Sequence, residues 1–219
     1  CDFTFAENGL ELNESDNTEI SHCTFERHLS GAYAIDDGSY DNSSNLTITY
    51  NSIGSGFTKG FDFNNAYNSE IAYNEIEASD LGIYCYNCDS TDFNYNVIFP
   101  GVNAFNSYGI HAEQSPGSNY IGNQILGFSS RGIYFYNSDG SFVYNNTISD
   151  TNKQGDYNNS GDFAIDNPTG GNQNCIVRNN NIFRYSDGGY NVGGIQVHQS
   201  IIDSNNVTIR SSSCGYSRG

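Results

Sequence analysis

Methionine and tryptophan are absent from the 219 residues, proline occurs three times, and Lys and Arg together number only eight. No run of 18 or more apolar residues is present, which excludes a membrane-spanning helix. With 25 Asp and Glu the formal charge is −17, and that balance argues against nucleic-acid backbones and anionic membranes as partners. Cations and neutral glycans remain. Because Met is missing even at position 1, the chain is expected to be a processed product or part of a longer one.

Charged residues make up 15% of the chain, and its polarity comes from Asn, Ser, Thr, Gly and 17 Tyr. Short alternating apolar runs and aromatics throughout oppose disorder and favour β-structure. Six Cys and six Asn-x-Ser/Thr sequons, at Asn13, Asn42, Asn45, Asn145, Asn158 and Asn206, suit a secreted or cell-surface protein with candidate glycosylation sites.

The decisive pattern is a repeat. The unit "apolar, x, x, Asn, x, apolar" is centred on Asn51, Asn74, Asn96, Asn123, Asn146, Asn180 and Asn205, with Cys23 in the Asn place one unit earlier and Cys1 before that. Steps of 22, 28, 23, 22, 27, 23, 34 and 25 residues separate these positions. A basic turn of 22 or 23 residues with insertions follows. Fourteen residues before the unit centre stands a second column, Gly9, Gly60, Gly82, Gly109 and Gly132, and one and three residues beyond each Gly the side chains are apolar or small. Each unit therefore supplies two or three short strands that bury their apolar faces only by stacking on neighbouring units.

This spacing without helical periodicity resembles the right-handed parallel β-helix of the pectate-lyase-like superfamily, across essentially the whole chain. The expected fold is all-β: a single domain over 1–219, a single-stranded right-handed parallel β-helix of about eight to nine coils of 22–34 residues. Residues 1–8 read as the tail of a preceding coil and 208–219 as a C-terminal tail or cap. In stacked coils the Asn column is expected to form an internal ladder, each amide bonding those above and below, with the Asn in the left-handed conformation of a bend. Cys1 and Cys23, in one column of consecutive coils, are the disulfide candidates. In Cys85-Tyr86-Asn87-Cys88, Cys85 is expected to point inward and Cys88 in a divergent direction, which disfavours a redox pair, and no second ligand pair is spaced for zinc. Cys85 and Cys175 then read as small buried hydrophobes.

Outward positions of the Gly-led strands gather Tyr84, Tyr86, His111, Glu113, Tyr134 and Tyr136, with Arg131 nearby. The tyrosines are glycan-binding candidates, and Glu113, His111 and Arg131 are the catalytic candidates if the protein is an enzyme. The motifs of polygalacturonase-like enzymes are missing; Asp36-Asp37 alone resembles one of them. Asp36, Asp37 and Asp41 are the Ca²⁺ candidates, and no other cofactor is indicated. The favoured role is non-enzymatic: an extracellular structural protein that self-associates into a filament, sheath or surface layer through stacked β-helices. The alternatives are a polysaccharide lyase or glycoside hydrolase, and a non-catalytic glycan-binding adhesion module.

Overall fold

The computed structural model describes residues 1–5, 9–27, 31–38, 42–101, 107–127, 130–149, 162–168, 174–186, 192–211 and 217–218. No helix occurs among them. Every strand pairing is parallel, and the chain winds as a solenoid with three faces. The first face carries the Gly-led strands, among them Tyr108–Glu113 and Arg131–Tyr136. The second is an eight-stranded sheet running from Glu19–Ser21 to Ile201–Asp203, and the third includes Val97–Pro100, Gln124–Leu126 and Thr147–Ser149. Strands Ser52–Asn64 and Glu75–Tyr86 pass from the third face to the first, joining the two into one 16-stranded sheet. Eight strands on the second face span about seven turns, fewer than the eight to nine coils expected.

The register follows the repeat. Ile48, Ile71, Phe93, Tyr120, Val143, Val177 and Ile202 stand in one row of the second face, and Ile53, Ile76, Ile98, Ile125, Ile148 and Ile182 in one row of the third. All but Ile202 are buried. The glycines stand where these walls meet: a Cβ on Gly82 would lie 2.2 Å from Ile98 Cγ2 and 2.5 Å from the carbonyl oxygen of Gly109. Gly is required there for space.

At the bend between the second and third faces, Asn51 Nδ2 donates to Asn74 Oδ1 at 3.0 Å, and the same bond recurs from Asn74 to Asn96, Asn96 to Asn123, Asn123 to Asn146, Asn146 to Asn180 and Asn180 to Asn205. Each acceptor oxygen also takes the preceding Asn backbone N–H, and each Nδ2 also donates to a backbone carbonyl, as Asn96 does to Ile71 at 2.8 Å. The left-handed residue is not the Asn but the one before it: His22, Tyr50, Tyr73, Tyr95, Gly122, Asn145, Asn179 and Ser204 all have φ between 54° and 66°. With the turn made one residue earlier, the Asn side chain points inward where its amide meets its neighbours.

The tyrosines of that bend form a ridge. Tyr50 and Tyr73 stack at 5.0 Å and 4°, Tyr73 and Tyr95 at 5.1 Å and 9°, with His22 against Tyr50 at 5.1 Å. The three phenols are about half exposed. Gly122 ends the row, and a Cβ there would lie 2.5 Å from the Tyr95 ring.

The cysteines depart from expectation. Cys1 is exposed and Cys23 buried, and both are free; the disulfide joins Cys85 and Cys88, with Cα atoms 6.0 Å apart. Both Cys85 and Cys88 are fully buried. Cys88 follows the left-handed Asn87, φ 58°, which swings the chain so that both side chains enter the core instead of diverging. Cys175 is buried and outside any disulfide, its thiol donating to the Ser138 carbonyl oxygen at 3.4 Å, as suits a small core residue. Cys214 lies outside the described residues.

In the central coils insertions have one address. From Gly60, Gly82, Gly109 and Gly132 to the next Asn centre the count is always fourteen, whereas from Asn74 to Gly82 it is eight and from Asn96 to Gly109 thirteen. In these coils extra residues enter between the third face and the first; in two others they also enter between the first face and the second, since Ala34 and Ala164 stand in register with the Gly column but lie seventeen and sixteen residues before Asn51 and Asn180.

Candidate functional site

Parallel pairing in register sets like-facing side chains of the first face in rows, one residue per coil and about 4.8 Å apart. The central row reads Glu11, Asp36, Asp62, Tyr84, His111, Tyr134, Asp166 and Gln196. Beside it run Asn64, Tyr86, Glu113 and Tyr136, and on the other side Tyr33, Lys59, Leu81, Tyr108 and Arg131. All seven residues marked from the sequence thus share one face.

His111 occupies the middle. Its Nε2 lies 2.8 Å from Glu113 Oε1, and its ring is boxed by Tyr84 at 5.2 Å, Tyr108 at 5.0 Å and Tyr134 at 4.6 Å, edge-on to Tyr84 and Tyr134. Burial lowers the imidazole pKa, outweighing the opposing effect of Glu113, so the ring is neutral at neutral pH. Donation from Nε2–H to the Glu113 carboxylate then leaves Nδ1 as a free lone pair. Burial, with Glu113 second, pushes the Tyr84 hydroxyl up to about 12, and burial also raises Tyr134. The phenols keep their protons.

Ion pairs bracket this neutral centre. Arg131 Nε donates to Asp166 Oδ2 at 2.5 Å and its guanidinium to the Tyr108 hydroxyl at 2.6 Å, while the cation stands 5.0 Å from the Tyr134 ring centre. Lys59 Nζ binds Asp62 at 2.6 Å and lies 4.5 Å from the Tyr84 ring centre. Lys59, Tyr108, Asp62 and Asp166 were not marked from the sequence as site residues. Lys59, Tyr108 and Arg131 each immediately precede a glycine of the Gly column, a signal the repeat already contained. Asp166 sits in a unit of altered length, where counting from a Gly fails.

The acidic run lies at the early end of the face. Asp36 Oδ1 accepts from Gly38 N–H at 3.2 Å. Asp37 is fully buried, and its Oδ1 takes the Asn64 backbone N–H; Asp37 Oδ2 and Asp62 Oδ1 are buried without a hydrogen-bond partner. Burial pushes the Asp37 carboxyl up to about 8. Asp41 lies outside the described residues, and among the described residues no group of three His, Cys, Asp or Glu is placed to hold a metal. Of the sequons, Asn13, Asn42, Asn45, Asn145 and Asn206 are exposed, and Asn158 is outside the described set.

With this geometry in hand, the comparisons decide the fold. A family model described as right handed beta helix region matches residues 1–105. The fold of this chain is a right-handed parallel β-helix. No curated protein sequence matches it. Among solved structures, this β-helix is similar to the periplasmic alginate epimerase AlgG, with 17% identity and TM-score 0.65 over 92% of this chain and 47% of that one. It is also similar to the Streptococcus pneumoniae surface protein and adhesin PfbA, with 11% identity and TM-score 0.52 over 98% and 65%. A third likeness is to pectate lyase Pel9A, with 11% identity and TM-score 0.50 over 98% and 69%. The β-helix spans about half the epimerase and under two thirds of the adhesin. Identities this low establish the architecture alone; the likenesses include a periplasmic and a surface protein.

Proposed function

We propose that the first face of the β-helix binds a glycan chain laid along the solenoid axis. The observation that carries this reading is the unbroken run Tyr84, His111 and Tyr134, one ring per coil, with Glu113 and the Arg131–Asp166 pair at its margin. Phenols and a neutral imidazole present apolar edges and hydrogen-bonding tips together, which suits sugar rings. The glycan-acting or surface-located proteins of similar fold support the reading. His111, oriented by Glu113 and holding a free lone pair, is the group able to remove a proton from a bound sugar, with Arg131 beside it to face developing negative charge. Binding assays on neutral and uronate polysaccharides test the reading. Wild type is expected to bind and His111→Ala and Tyr134→Ala to lose at least tenfold in affinity, whereas unchanged affinity in both overturns it. Product release abolished in His111→Ala and Glu113→Gln assigns a lyase or hydrolase; binding without turnover in wild type assigns an adhesion module.

A second reading, assembly into a filament, sheath or surface layer, is favoured by one feature. Ile202 lies in the inward row yet is 52% exposed, beside Ile201 at 56%, and their strand pairs on one side only among the described residues. Electron microscopy of wild type against Ile202→Lys tests it: filaments lost in the variant support assembly, and dispersed monomers in both reject it.

A further inference from the structure

At the bend leading into the second face, one short strand before the tyrosine ridge, an open groove of about 410 Å³ crosses three coils. Asn45, Leu46, Thr47, Asn68, Ser69, Glu70, Ser90 and Asp92 line it. The wall is polar. Glu70 and Asp92 are register neighbours on adjacent strands, and Asp92 already accepts from Asn119 Nδ2 at 2.7 Å. Like charges placed directly opposite one another are unfavourable, and two acceptor carboxylates beside amides and hydroxyls make a surface that calls for a ligand rich in O–H and N–H donors.

Asn45 and Thr47, both on the wall, are the first and third residues of the sequon Asn45-Leu46-Thr47. Asn45 is exposed, and its Nδ2 makes only two long contacts, 3.3 Å to Asn17 Oδ1 and 3.4 Å to Ser44 Oγ. Asn206, by comparison, donates to Asn181 Oδ1 at 2.9 Å. The groove therefore begins at the residue that would carry a sugar.

We infer that Asn45 is an N-glycosylation site whose first N-acetylhexosamine seats in this groove, against Asn68, Glu70, Ser90 and Asp92. The donor is a polyprenyl-diphosphate-linked oligosaccharide. Asn45 Nδ2 forms a bond to the anomeric carbon, the anomeric C–O bond to the diphosphate breaks with its electron pair leaving on the diphosphate, and Nδ2 gives up one proton. One N–H remains on the amide. The sugar hydroxyls donate to the Glu70 and Asp92 carboxylates, which fixes the first residue on the wall.

The test uses the full chain secreted from an N-glycosylating eukaryotic host, with site occupancy read by peptide mass spectrometry after enzymatic deglycosylation in heavy-oxygen water. Asn45 is expected to be occupied in most molecules. On the native protein, amidase removal of its glycan should be at least fivefold slower than in Glu70→Ala or in Ser90→Gly, two substitutions at exposed positions that leave the melting transition unchanged. An unoccupied Asn45 overturns the inference. So does removal at one rate in wild type and both variants, which would describe a sugar attached at Asn45 but free of the groove.

Discussion

On the first face, Tyr84, Tyr108 and Tyr134 meet His111 edge-on or tilted, and Lys59 and Arg131 stand over the Tyr84 and Tyr134 rings. At the corner, Tyr50, Tyr73 and Tyr95 lie nearly parallel, and each ring covers its neighbour. The same residue type at the same coil spacing thus serves two ends. Parallel rings use up their faces on one another, while inclined rings leave room for ionisable partners between coils. Exposure alone does not separate the two arrays; orientation and the presence of ionisable partners do.

The largest effect should come from beneath the corner ridge. Asn96→Ala removes the acceptor of both the Asn74 N–H and Asn74 Nδ2 and the donor to the Ile71 carbonyl. A loss of about 3 kcal/mol is expected in chemical denaturation, with a loss below 1 kcal/mol showing that the amide chain is not a structural necessity.

At the early end of the first face, Asp37 should make stability fall as pH rises. Its carboxyl is protonated in the fold up to about 8 but has a reference value of 3.8, so the folded state binds more protons across that window. Melting at pH 5 and pH 9 should show Asp37→Asn losing less stability than wild type on going to pH 9, by on the order of 2 kcal/mol. Identical pH slopes would remove the buried acid from the account.

On the same face, His111→Ala should leave the denaturation midpoint nearly unchanged while reducing glycan binding at least tenfold, about 1.4 kcal/mol. If it unfolds the protein instead, the face is architecture like the corner. The smallest effect is expected at the ridge itself. Tyr73→Asn gives up two ring contacts but relieves a bulky residue held at φ 58°, and the two terms should cancel to within about 0.5 kcal/mol.

The fold was legible because its cause is periodic: a bend that must bury an amide on every turn repeats Asn, and a crowded wall repeats Gly. The bend itself was misplaced by one residue. Asn is the expected left-handed residue, and nothing in local propensity nominates Tyr50, Tyr73 or Tyr95. The dipeptide Tyr-Asn at 50–51, 73–74 and 95–96 carried the signal. Site residues were legible where a Gly of the column leads the strand, as with Tyr84, His111 and Tyr134, and hidden where no such Gly starts the count, as with Asp166. The Cys85–Cys88 bond was hidden for another reason: whether two side chains three apart converge depends on the conformation of Asn87 between them.

In the coils led by Gly60, Gly82, Gly109 and Gly132 the length variation enters between the third face and the first, so the register of the central binding rows is insulated from it. Segments grafted at that seam would form one bank of the His111 face while every rung of the coil stayed in place. A lineage of such chains can change what it grips by altering its margins alone.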